Sequence, residues 1–344
     1  MRFYNQFLEY NKIIDRIARF TFYRTNQKLM RSFFVIIFFL FLSTLVYSQQ
    51  EAQFSQNMFN GMLINPGYAG QKNAICATAF ARQQWVGFKD DDDNKGNPES
   101  YSFAIDAPIK FLKGGLGLSF LQDQLGFEKN ISVGLSYAYH WTIDYGILGL
   151  GLRAGFTDKS LDFGKFKPIT EGDPTLSGGA KENAMMLDFS LGAWYSLDDQ
   201  MYAGLSVSQL RQATGSIGQA GYTLKRHYFL TGGYNIKLAS LPAYDFTPSV
   251  FVKSDLSSTQ IDFNTLVSYN RKFWAGLSYR TSDALVAMLG LRIDQYSVGY
   301  AYDFTTSSLG RKGRSYGSHE IVLRYCFQLE VEKLPQPHRT VRFL

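Results

Sequence analysis

From residue 74 to 328 the chain is a series of segments, each about ten residues long, in which apolar side chains alternate with small or polar ones and turn residues separate one segment from the next. Successive strand side chains point to opposite faces, so this alternation builds a sheet with one greasy face and one wet or crowded face. In FWAGLSY and the residue after it, Phe273, Ala275, Leu277 and Tyr279 oppose Trp274, Gly276, Ser278 and Arg280. Further on, Leu285, Ala287, Leu289, Leu291 and Ile293 oppose Ala284, Val286, Met288, Gly290 and Arg292. Tyr296, Val298, Tyr300 and Tyr302 likewise oppose Ser297, Gly299, Ala301 and Asp303. The second set is too small and polar for the dry core of a sandwich and suits a barrel lumen. No helical period is sustained beyond residue 70, so the pattern predicts an all-β chain folded as a transmembrane antiparallel barrel.

Strand centres fall near residues 79, 103, 118, 134, 151, 190, 205, 228, 249, 264, 276, 288, 299 and 323, about fourteen in all, an even number as single-chain bacterial barrels have. Such barrels put short turns on the periplasmic side and long loops outside. With both termini periplasmic, the odd connections would be extracellular, and they include 86–98, 157–183, 210–220 and 305–317, the longest in the chain. Even connections such as 142–145, 197–200, 270–272 and 294–295 are tight. A soluble exported sandwich shares short alternating strands, but tyrosines and phenylalanines near strand ends and glycines within strands favour the barrel.

Ahead of the strands, residues 31–47 read RSFFVIIFFLFLSTLVY, an apolar run shorter than the ~20 residues that span a bilayer as a helix. Val46-Tyr47-Ser48 offers a small-residue cleavage site, so residues 1–48 read as leader and secretory signal peptide, with Met30-Arg31 as a natural start. The leader holds Arg2, Lys12, Arg16, Arg19, Arg24, Lys28 and Arg31 against Glu9 and Asp15, a charge of +5 out of the whole chain's +6. The mature chain is near neutral, and the basic balance gives no ground for a nucleic-acid partner.

Signals for chemistry are weak. The run Asp90 to Asp93, with Asn94 and Gly96, lacks the calcium-loop spacing: counted from Asp90, positions six and twelve are Lys95 and Tyr101, and counted from Asp91 they are Gly96 and Ser102. His140, His227, His319 and His338 have no suggestive neighbours, and no nucleophile elbow, H-E-x-x-H or phosphate-cradling loop occurs. No enzyme activity, cofactor or metal is expected. The only cysteines, Cys76 and Cys326, fall on the first and last strands, both on the lumen side by alternation. Those strands become neighbours when a barrel closes, which allows a disulfide across the seam, while the register stays undetermined at this level.

The same alternation assigns Arg82, Arg153, Arg280, Arg292, Asp303, Glu320 and Arg324 to the lumen. Before the first strand, residues 53–70 read QFSQNMFNGMLINPGYAG and fit no secondary-structure template. Gln53, Gln56, Asn60 and Asn65 can satisfy backbone groups in a lumen, Phe54, Met58, Phe59 and Tyr68 can fill space, and Pro66-Gly67 with Gly70 can turn the chain into the first strand. Residues 49–73 are therefore expected to be a plug or docking segment that begins beneath the barrel or folds up into it. Residues 74–328 form the barrel, and 329–344, polar and broken by proline, form a periplasmic tail.

The segments QFSQNMFNGMLINPGYAG, ARQQWVGF, LGLSFLQDQLG, LSYAYHW, YAGLSVSQL, YRTSDALVAMLG, GYAYDFTTSSLG and GSHEIVLRY together resemble the PorP/SprF family of Bacteroidota outer-membrane proteins, from about residue 50 to 328. The family's opening reads like Q-F-S-Q-Y-M-F-N-P-x-x-x-N-P-A-Y-A-G; here Asn57 stands for the aromatic, Gly61 for the first proline and Gly67 for the alanine. The resemblance implies an outer-membrane barrel of the type IX secretion system. Its implied partners are the periplasmic ring and lipoprotein subunits, or a dedicated surface adhesin such as those used in gliding, beside the outer-membrane lipid itself. The alternative is a fourteen-strand transporter or porin for fatty acids or small solutes. A greasy conduit is disfavoured by the charged residues assigned to the lumen.

Overall fold

Alternating sequence becomes fourteen barrel strands joined in one antiparallel ring. In the computed structural model, residues 51–89, 96–166, 181–198, 200–218, 220–311 and 315–328 are described. The leader with its start at Met30, the acidic run Asp90 to Asp93, His338 and the tail expected at 329–344 lie outside the described residues. The wall runs β1 (Ala74–Gln83), β2 (Glu99–Ile109), β3 (Gly114–Leu125), β4 (Glu128–Ile143), β5 (Gly146–Asp162), β6 (Lys181–Leu197) and β7 (Met201–Ser208). A separate hairpin, β8 (Thr214–Ile217) with β9 (Ala220–Thr223), interrupts before β10 (His227–Tyr234). After a two-residue stub, β11 (Ile236–Lys237), the wall resumes with β12 (Tyr244–Ser254), β13 (Thr259–Tyr269), β14 (Phe273–Arg280), β15 (Ala284–Ile293), β16 (Tyr296–Thr305) and β17 (Ser318–Gln328). β10 pairs with β12 and β1 with β17, so no barrel strand is left with an open edge. All fourteen strand centres expected from the sequence fall inside barrel strands; the β8–β9 hairpin and β11 are additional.

The two faces separate as the alternation requires. Leu135, Leu152, Leu191, Leu205, Leu230, Leu277, Leu289 and Leu323 are each at least half exposed on the outer wall, an arrangement that only a hydrocarbon solvent makes favourable. Exposed Tyr139, Trp141, Tyr145, Tyr234, Tyr244, Tyr269, Phe273 and Tyr296 gather at the end that carries the short turns, and Tyr101, Tyr279 and Phe304 lie toward the other. These are the aromatic girdles of a bilayer-spanning barrel. The wall is uneven in height. β4, β5 and β6 have 16, 17 and 17 residues, against 8 for each of β7, β10 and β14. A membrane crossing needs ~9–11, so the longer strands rise beyond the membrane at the long-loop end. There the β8–β9 hairpin folds against them: Ile217 is buried and the Lys159 Nζ lies 3.5 Å from the centre of the Tyr222 ring.

At the seam Cys76 lies directly opposite Cys326, and the two are disulfide-bonded. The bond closes a loop of nearly the whole barrel and so removes conformational freedom from the unfolded chain, an effect of at most about 5 kcal/mol. The double variant Cys76→Ser/Cys326→Ser should still fold, because the β1–β17 ladder remains, yet lose its folded electrophoretic mobility at a lower temperature. An unchanged unfolding temperature in heat-modifiability gels would show that the bond adds nothing to stability.

Candidate functional site

The N-terminal segment lies inside the barrel and runs its length. Residues 53–60 are in the long-loop half, residues 65–73 in the short-turn half, and a short 3₁₀ turn (Asn57–Phe59), a four-residue helix (Gly61–Ile64) and a second 3₁₀ turn (Pro66–Tyr68) carry the chain between them. Of the two expected arrangements, beginning beneath the barrel or folding up into it, the described residues take the second. Glu51 is held near the long-loop mouth, where Ser208 Oγ donates to its carboxylate (2.7 Å) and Lys253 Nζ donates to its carbonyl oxygen (3.1 Å). The described chain therefore starts toward one mouth and ends, at Gln328 opposite Ala74, at the other. The expectation that both termini are periplasmic concerns residues that lie outside the described ones.

In the long-loop half the segment is locked by buried charge. Arg82 and Arg280 are 1% and 0% exposed, and Asp262, Asp303 and Glu320 are equally enclosed. Arg82 reaches Asp303 (2.8 Å) and Glu320 (3.2 Å), and Arg280 reaches Asp303 (2.9 Å), Asp262 (3.3 Å) and Asp283 (3.3 Å). Ser55 sits at the centre. Its hydroxyl accepts from Arg82 (2.7 Å) and Arg280 (3.0 Å) and donates to Asp303 (2.7 Å), which fills its hydrogen-bonding capacity. The backbone N–H groups of Ser55 and Gln56 donate to the two oxygens of Glu320 at 2.7 and 2.8 Å. Beside them Asn57 donates to Asp262 (3.1 Å) and accepts from Asn264 (3.3 Å), and Lys253 donates to the Gln53 side-chain oxygen (2.6 Å).

Packing completes this half. The Phe54 ring packs tilted at 5.2 Å from Phe80, and Phe59 likewise at 5.0 Å from Trp274, with Met58 against the Trp274, Val286 and Met288 cluster.

In the short-turn half, shape and backbone bonds take over from charge. Asn65 donates to the carbonyls of Ala193 (2.9 Å) and Leu205 (3.1 Å), and its own oxygen accepts from the Gly67 N–H (2.8 Å). Pro66 and Gly67 fit a notch that exists because the facing wall residues are Gly151 and Gly192; a Cβ on either would overlap the segment's atoms. Tyr68 meets Trp194 edge-on at 5.0 Å, and Arg324 donates to its hydroxyl (2.9 Å). Arg153 donates to the Met62 carbonyl (2.6 Å), Asp106 accepts from the Gly70 N–H (2.9 Å), and His140 Nε2 lies 2.8 Å from the Ala69 carbonyl, so that nitrogen carries the hydrogen. Gly70 turns toward β1 at φ +71°, a conformation that suits glycine alone.

Of the residues assigned to the lumen by alternation, Arg82, Arg280, Asp303 and Glu320 converge on Ser55, while Arg153 and Arg324 hold the lower segment. Arg292 does not join them: it shares their parity, but it lies one residue from the end of β15, beside the tight turn at 294–295, and its side chain is exposed. The alternation reading missed Ser55, Asn57, Lys253, Asp262 and Asn264. Asp262 and Asn264 were visible in principle, since they alternate with outward-facing Phe263 and Val267. Ser55 had no signal beyond its place in the QFSQ motif.

The sequence model of the family described as "Type IX secretion system membrane protein PorP/SprF" matches residues 46–325. This chain belongs to that PorP/SprF family. No curated relative matches the sequence. Among solved structures, the P. putida toluene transporter TodX shares 9% identity over 79% of this chain and 94% of its own, with a TM-score of 0.47. The CymD monoaromatic hydrocarbon channel shares 11% over 79% and 93%, with a TM-score of 0.45, and the KdgM porin 10% over 73% and 99%, with a TM-score of 0.33. These are outer-membrane barrels at a distance, and nothing about this chain's cargo is read from them. As a PorP/SprF protein the chain is an outer-membrane component of the type IX secretion system.

Removing the centre of the charge network should loosen the segment before the wall. Ser55→Ala strips the hydroxyl shared by two guanidinium groups, a loss of about 2 kcal/mol, so amide hydrogen exchange at residues 53–60 should accelerate roughly 30-fold while wall amides stay protected. Arg280→Met leaves Asp262 and Asp303 short of a partner and should cost about 3–5 kcal/mol, enough to lower the unfolding temperature of the whole barrel.

Proposed function

We propose that this PorP/SprF barrel works without catalysis, as an interaction partner that supports secretion or surface attachment of adhesins, including those of gliding motility. Its contacts would be with the periplasmic ring and lipoprotein subunits or with one dedicated adhesin. The observation that carries this reading is the segment built into the lumen: a barrel whose interior is tied to its own chain by a buried charge network at one end and an asparagine clamp at the other is suited to presenting surfaces rather than passing solute. The long-loop end carries the elevated β4–β6 wall and the β8–β9 hairpin, which would offer a contact surface to such a partner.

The transport alternative makes an opposite demand, an unobstructed polar or apolar path between the two mouths. In planar bilayers the purified protein should stay electrically silent, whereas a steady conductance in the unmodified protein would favour the transporter. In cells, epitope-tagged protein should co-purify with type IX components from native envelopes, and deletion of its gene should remove an adhesin from the surface. Recovery of no such component, together with normal secretion and impaired solute uptake, would overturn the proposal.

A further inference from the structure

The inserted segment fills only one side of the long-loop half. Residues 53–57 lean on β1, β13, β14, β16 and β17, and on the opposite side, against β3, β4 and β6, a cavity of about 160 Å³ remains. Its walls include Asp123 and Asn130, which face each other across the β3–β4 ladder, and Asp188 and Ser190, two residues apart on one face of β6. Asn60 of the segment and Tyr222 of the β8–β9 hairpin complete the lining used here. The space far exceeds the ~30 Å³ share of one water and has room for a single ring rather than a polymer.

This cavity holds polar atoms that no side chain or backbone group among the described residues satisfies. Asn60 is 3% exposed and Ser190 2% exposed, yet Asn60 Nδ2 and Ser190 Oγ have no hydrogen-bond partner, nor does the buried Oδ1 of Asn130. Buried polar groups are nearly always paired, so unpaired ones gathered around one cavity are where water or a bound molecule supplies the partners. Asp123 accepts from Ser100 (2.6 Å) and Asp188 from the Gln209 N–H (3.3 Å), and each carboxylate has acceptor capacity beyond that bond. The unspent set is thus two carboxylates and an amide oxygen as acceptors, an amide nitrogen as donor and a hydroxyl that serves as either, beside the Tyr222 ring, which Lys159 engages from one face. Carboxylates of Glu51, Asp123 and Asp188 are matched in number by Arg153, Lys225 and Lys253 around the cavity, which gives no net pull on an ion.

We propose that the cavity binds one neutral sugar ring. Neighbouring hydroxyls of a hexose donate to a carboxylate such as Asp123 or Asp188, its oxygens accept from Asn60 and Ser190, and its C–H face packs on Tyr222. The ring belongs either to a free hexose or to the terminal residue of a surface glycan. The site stands apart from the secretion role proposed above, and either can fail without the other.

Saturation-transfer NMR on the full detergent-solubilised protein tests it with two probes: free glucose, galactose and mannose, and the polysaccharide released by mild acid from the host's own lipopolysaccharide. Transfer to a free hexose alone assigns a soluble sugar, transfer to terminal residues of the polysaccharide assigns a glycan end, and either supports the site. Asp188→Asn and Ser190→Ala should weaken binding roughly tenfold, as two buried hydrogen bonds would require. Tyr222→Ala, which changes the hairpin and not the barrel wall, should do the same in a protein of unchanged heat-modifiability. Asp245→Asn, at the opposite mouth, should bind as the parent does. No transfer from either probe, equal transfer in parent and variants, or transfer to the zwitterion alanyl-alanine in place of the sugars overturns the proposal.

Discussion

Two guanidinium groups are buried inside this barrel, and the rest of the architecture is arranged around that fact. Arg82 and Arg280 come from strands far apart in sequence, and each faces an acidic residue directly across its own ladder, Glu320 and Asp262 respectively. Those pairs alone leave hydrogen-bonding positions open. Ser55 and the two adjacent backbone N–H groups occupy them, so the inserted segment is part of the charge balance of the wall. Such a network adds little to net stability compared with an apolar core of the same shape. It contributes register: a shift of the segment by one residue would leave several buried charges without partners.

The β1–β17 seam concentrates this logic. One end carries the Cys76–Cys326 bond, the other the Arg82–Glu320 pair that grips Ser55. Closing the ring and seating the segment therefore depend on the same strand pair. At the short-turn end the segment is fixed by different means, the Asn65 clamp and the Gly151–Gly192 notch, where close approach of backbone to backbone replaces charge. With both ends held, the segment crosses the lumen obliquely, against β13–β17 and β1 above and against β2–β7 below. The unfilled corner above β3–β6 follows from that path.

The consequences for function are geometric. A PorP/SprF barrel with its lumen tied up in this way offers its rim as the accessible surface, where the wall is tallest and the β8–β9 hairpin folds in. Asn57 belongs to the same network, its side-chain amide bridging Asp262 and Asn264.

Alternation by itself determined the barrel, its strand count and the inward direction of Arg82, Arg153, Arg280, Asp303, Glu320 and Arg324, because the two-residue period of a strand is a local property that survives any tertiary arrangement. Arg292 shares that parity but not the depth of the others, because it stands beside a tight turn where its side chain is exposed. Only the tertiary structure decided which inward residues meet, that Ser55 joins Arg82 to Arg280, that Cys76 stands level with Cys326, and that residues 51–57 lie toward the long-loop mouth. These depend on register and on the path of an irregular segment, which are set by contacts between residues more than two hundred positions apart and leave no periodic trace in the sequence.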